Sequence, residues 1–89
     1  MINEKELERK FNGFIRDLVV TVYRRGANGK MLYSDQPDDD YTKYYVEVNK
    51  DGVTATHAFL PHPSIDDEIG HIARRLVLKW AEARHMQRE

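Results

Sequence analysis

Tyr41-Thr42-Lys43-Tyr44-Tyr45-Val46-Glu47-Val48, then Asn49-Lys50-Asp51-Gly52, then Val53-Thr54-Ala55-Thr56-His57-Ala58-Phe59-Leu60 read as strand, tight turn and returning strand. The first run alternates, with Thr42, Tyr44, Val46 and Val48 on one side and Tyr41, Lys43, Tyr45 and Glu47 on the other. That period of two belongs to a strand with one covered face, and the turn residues between the runs predict an antiparallel hairpin. Tyr41 and Tyr45 share a face while Tyr44 lies on the other. One set of rings is therefore expected at solvent or at an interface unless both faces are covered.

Upstream, Asn3 as N-cap, Glu6 three residues on and Ile2 opposite Leu7 combine a capping box with a hydrophobic staple, so a helix is expected to begin at Glu4. Leu7, Phe11, Phe14 and Leu18, with Ile15 beside them, keep helical spacing. The end is open to three readings: a stop at Asn12-Gly13, a continuation to about Arg16, or a longer helix through Val22 to Gly26. Against the last, Leu18-Val19-Val20-Thr21-Val22-Tyr23 is rich in β-branched residues and favours a strand. Asn28-Gly29 is a turn signal, with Met31-Leu32-Tyr33 as a short returning strand, and Ser34 to Asp40 is an acidic loop.

Downstream, Pro61 and Pro63 end the sheet and Ser64 is placed to cap a last helix. Ile65, Ile69, Ile72, Ala73, Leu76, Val77 and Trp80 fall in one arc at 100° per residue and form its expected core face. Asp66, Asp67 and Glu68 open this helix, and Arg74, Arg75, Lys79, Arg84 and Arg88 follow, a gradient that complements the helix dipole. With no internal repeat or linker, the chain is expected to form one α+β domain over residues 1–89. The element order is α-β-β(-β)-β-α, with both helices on one face of an antiparallel sheet.

Composition narrows the functions. A chain of 89 residues is too short for two ordinary domains, and 40% hydrophobic with 33% charged residues suits a globular protein rather than a disordered tail. The absence of cysteine excludes disulfides, thiolate catalysis and Cys-ligated zinc. No uncharged run approaches ~18 residues and the first residues lack the apolar stretch of a signal peptide, so no membrane contact and a cytoplasmic location are expected. A core this small gains burial from a second copy, which makes a homodimer a further expectation.

The net charge of -1 is a cancellation. Residues 1–30 carry +3, residues 31–70 carry -7 and residues 71–89 carry +3. Basic helix faces and acidic loop tips make a polarised surface suited to steering a partner of complementary charge.

The helix-strands-helix order resembles the topology of the double-stranded-RNA-binding domain. That resemblance implies RNA binding through a lysine cluster opening the last helix, whereas here Ser64-Ile65-Asp66-Asp67-Glu68 puts three carboxylates where phosphate would sit. A nucleic-acid reading would use Arg9, Lys10, Arg16, Arg24, Arg25 and Arg74 instead.

Leu78 lies outside the core arc near His71, Arg74 and His85, a contact point for a protein partner. Asp38, Asp39 and Asp40 form a second candidate surface, in one version an imitation of nucleic acid. Asp67, His71 and His62 lack any recognised metal spacing, and the aspartate run lacks the pattern of a calcium loop, so no metal is expected. His57 alternates with Ala55 and Phe59 and is expected to pack beside them. No Gly-rich phosphate loop, nucleophile elbow or His-Glu-x-x-His helix is present, so neither a cofactor nor catalysis is expected. The leading expectation is a small non-catalytic protein-binding module that regulates or inhibits a larger partner, of the size and composition of phage and mobile-element accessory proteins.

Overall fold

The computed structural model describes residues 4–33, 35–60 and 64–87. The expected cap at Asn3, the staple at Ile2, the sheet-ending Pro61 and Pro63, and His62 and Arg88 lie outside the described residues. Helix α1 (Glu4–Asn12) leads into strands β1 (Val19–Arg25), β2 (Met31–Leu32), β3 (Lys43–Lys50) and β4 (Val53–Phe59), and helix α2 (Ile65–Gln87) follows. The strands form one antiparallel sheet in the order β2-β1-β3-β4, so β1 and β3 are central. The fold is α+β with both helices on one face of the sheet.

Of the three readings of α1, the stop at Asn12-Gly13 is the one observed. The Gly13 amide reaches back to the carbonyls of Arg9 and Lys10, and those of Phe14 and Ile15 both reach Phe11, which tightens the last turn and turns the chain out. Beyond it the β-branched run prefers the sheet, and Leu18 is left just ahead of β1. Phe14 thus leaves the α1 face on which helical spacing had placed it. It lies against Gly70 of α2 instead, where an added Cβ would stand 3.4 Å from its ring.

Alternation sets the sheet's faces. Val20 and Val22 on β1, Tyr44, Val46 and Val48 on β3, and Val53, Ala55 and Phe59 on β4 point toward the helices and are buried. They meet Leu7, Phe11 and Ile15 from one side and Ile65, Ile69, Ile72, Ala73, Leu76 and Trp80 from the other. Val77, expected in this core, is instead 38% exposed at the edge of the arc. Trp80 is buried and its indole N–H reaches the carbonyls of Val53 (3.1 Å) and Lys50 (3.3 Å), fastening α2 to the β3–β4 turn. That turn has positive φ at Asp51 and Gly52, within the expected turn Asn49-Lys50-Asp51-Gly52.

One charged side chain shares the core face. Arg24, in phase with Val20 and Val22, is only 3% exposed. Its guanidinium pairs with Glu4 of α1, with Asp38 at 2.6 Å, and donates to the carbonyl of Tyr33 at 2.7 Å. The Tyr44 hydroxyl donates to the same Asp38 at 3.1 Å. Burial opposes the charge on Arg24, yet the bonds from Asp38 and Glu4 outweigh it and hold its pKa above the ordinary value. Burial, reinforced by Asp38, pushes Tyr44 up to about 12, so its proton stays on.

Removing the guanidinium would leave two carboxylates facing a half-dry site. Arg24→Ala is expected to lower stability by about 3 kcal/mol, the cost of breaking a buried ion pair from one side. Lys10→Ala, which breaks the exposed pair with Asp66, should have a far smaller effect. Urea unfolding compares the two, and similar midpoints for both variants would contradict the role given to Arg24.

Candidate interaction surface

His71, Arg74 and Leu78 are brought together on the outer side of α2, where they line an open groove of about 610 Å³. Its floor is the buried pair Phe59 and Ile72, and its other wall is His57 of the edge strand β4. Glu68 and Arg75 complete the lining, so Arg74 and Arg75 stand against one carboxylate. Arg75 carries no signal in sequence that marks it for this groove, and alternation alone puts His57 beside Ala55 and Phe59 as ordinary packing. His57 is in phase with them but half-exposed, because β4 is an edge strand. Lys79, one turn from Arg75, donates to the Thr56 carbonyl at 3.4 Å and so covers part of the β4 edge.

Leu78 is 55% exposed and stands between this groove and a second, shallower one lined by Phe14, Gly70, Ala73, Arg74, Val77 and Leu78. The Phe14 ring lies over Gly70 of the helix, and Phe14 is itself 62% exposed. Phe14, Val77 and Leu78 therefore make an apolar strip along α2, with Arg74 on it. A third groove of about 490 Å³ continues past Phe14 to Arg16, Lys50 and Arg84, with the Arg84 guanidinium 5.3 Å from the centre of the Trp80 ring.

The other candidates fare differently. Asp38 is engaged by Arg24 and Tyr44, and Asp39 accepts the amides of Ala27 (3.0 Å) and Tyr41 (2.8 Å) as well as the Thr42 hydroxyl. The Ala27 amide first and the Tyr41 amide second hold the Asp39 carboxyl below its ordinary range. Both aspartates thus organise the loop between β2 and β3, while Asp40 is exposed. Gly26 is needed beneath Asp39, since a Cβ there would collide with its carboxylate.

For the nucleic-acid reading, Arg9, Arg16 and Arg74 are exposed, Lys10 is tied to Asp66, and Arg25 lies half-buried on the opposite face of the sheet. Arg24 is not a surface residue at all; alternation turns it inward, and its charge is spent on Glu4 and Asp38. Among the described residues no three His, Asp or Glu side chains cluster as metal ligands, and no helix is long and apolar enough to cross a membrane. Comparisons with family models, with curated proteins and with solved structures returned no match to this chain.

Burial lowers the pKa of His57 below its ordinary 6.5, with Lys79 and Arg75 adding repulsion. The folded protein therefore binds less proton at this site than the unfolded chain. The resulting stability is complete above pH 6.5 and is lost as pH falls through the lowered folded value. His57→Gln should flatten this part of the stability profile, as followed by urea midpoints across the acid range. An unchanged slope would mean that His57 is not held neutral by the groove.

Proposed function

We propose that this chain is a non-catalytic protein-binding module that takes an acidic partner segment with an apolar anchor along α2. The observation that carries this reading is the exposed strip of Phe14, Val77 and Leu78 between grooves rimmed by arginine. Apolar side chains exposed side by side and bordered by cations suit an anchor surrounded by carboxylates, because the anchor supplies burial and the charges select the register. The engaged state of Asp38 and Asp39 disfavours the version in which the acidic loop imitates nucleic acid. Regulation or inhibition of a larger partner, with the accessory proteins of phages and mobile elements as the type, is the role such a module would serve.

Peptides selected from a random display library on the intact protein are expected to share a Leu or Phe flanked by Asp and Glu. Leu78→Asp should weaken the best of them by about tenfold or more, since it places a carboxylate at the anchor. Arg74→Ala should slow association more than it speeds release. A basic consensus, or affinity untouched by Leu78→Asp, would reject the reading. Light scattering tests the homodimer: a dimer dispersed by Leu78→Asp would give the strip to a second copy instead.

A further inference from the structure

The protein is only 17 Å through its thinnest dimension, so one layer of helices and one layer of sheet account for its depth, and among the described residues no element covers the second face of the sheet. On that face the antiparallel register sets residues in rows across the strands. One row is Tyr23 on β1, Tyr45 on β3 and Ala58 on β4; the next is Met31 on β2, Arg25 on β1 and Lys43 on β3. Tyr23 and Tyr45 stack with ring centres 5.2 Å apart and planes within 7°. The Arg25 guanidinium lies 5.4 Å and 5.9 Å from the two ring centres and is held in place by a bond to the Gly29 carbonyl.

We infer that this bare face binds single-stranded nucleic acid, with a base stacking beside Tyr45 over the Ala58 shelf and the backbone phosphates meeting Arg25 and Lys43. The stack of rings is covered by Tyr23 on one side of Tyr45, but its next neighbour across the sheet is the small, exposed Ala58, which leaves room for one more flat ring. Aromatic rings at the centre of an open sheet bind bases without regard to sequence, because every base has a π-face. The charge is arranged to match. Arg25 and Lys43 stand directly opposite one another at one end of the tyrosines, and Glu47, the one carboxylate on these strand positions, lies on the other side. In the neighbouring acidic loop Asp38 is paired with Arg24, and the Asp39 carboxylate is turned to the amides of Ala27 and Tyr41. This surface lies on the opposite side of the sheet from the α2 groove and is independent of the reading given to that groove.

Fluorescence anisotropy of labelled oligo(dT) and oligo(U) of about 15 nucleotides, titrated with the intact protein at about 50 mM salt, tests the inference and tells DNA from RNA. Binding of either is expected, with a slope of log affinity against log salt of about -1.4 for two phosphate contacts. Tyr45→Leu and Ala58→Leu should each weaken it about tenfold or more, the first by removing the stacking ring and the second by filling the shelf with every tyrosine in place. Circular dichroism confirms that each variant is folded; if Tyr45→Leu is not, Ala58→Leu decides. No binding at this salt would overturn the inference, and so would binding that Ala58→Leu leaves intact. A slope of about -2.8 or steeper, with loss on Arg16→Ala and Arg74→Ala, would move the site to the helices. A dimer that Tyr45→Leu disperses would assign the face to a second copy.

Discussion

The Arg24 guanidinium, buried among valines, ties together four parts of the chain that apolar packing alone would leave loosely related. Glu4 comes from the first turn of α1, the Tyr33 carbonyl from just past β2, Asp38 from the acidic loop and, through it, Tyr44 from β3. A buried charge of this kind is costly unless every partner is in place, so the site acts as a register lock more than as a source of net stability. It sets where α1 begins against the sheet and draws the loop down over that end.

That lock changes the meaning of the acidic stretch. Nine carboxylates between residues 31 and 70 look in sequence like a single negative surface. In the fold Asp38 neutralises Arg24, Asp39 binds amides, Asp51 approaches Arg84 at 3.9 Å, and Asp66 holds Lys10. Much of the charge is consumed by structure. Two clusters of cations remain at the surface: Arg74 and Arg75 along α2, where Glu68 is the nearby carboxylate, and Arg25 beside Lys43 on the open face of the sheet.

Periodicity made the hairpin, the α2 core arc and the helix-on-sheet layering legible, because each is a repeating pattern that survives without knowledge of what it packs against. Arg24 was legible in part: it falls in phase with Val20 and Val22, and an arginine on the apolar side of a strand calls for nearby acids, which Glu4 and Asp38 supply. Phe14 was misplaced because α1 stops before it, and Val77 because spacing cannot tell the centre of an apolar stripe from its rim. His71, Arg74 and Leu78 were readable as a group since α2 is one continuous helix. Their opposite wall, His57, was not, because which strand lies at the sheet edge is decided by pairing between distant segments. The Tyr23–Tyr45 stack was hidden for the same reason, as a long loop between β2 and β3 leaves the β1–β3 register undetermined in sequence.

Both proposed surfaces follow from the thinness of the domain. A sheet covered by helices on one side must leave the other to solvent, and in most such sheets threonine, lysine and glutamate make that face inert. Here the half toward Val19 follows that habit, with Thr21, Asn49, Thr54 and Thr56, whereas the half toward Arg25 carries stacked tyrosines and paired cations. On the helical side, the early end of α1 uncovers the flank of α2, so Phe14, Val77 and Leu78 are exposed by the same stop that lets β1 form. The two surfaces thus look away from each other across a single layer of backbone. A ligand on one would leave the other open, and a molecule this small would join two partners only because its sheet is not buried on both sides.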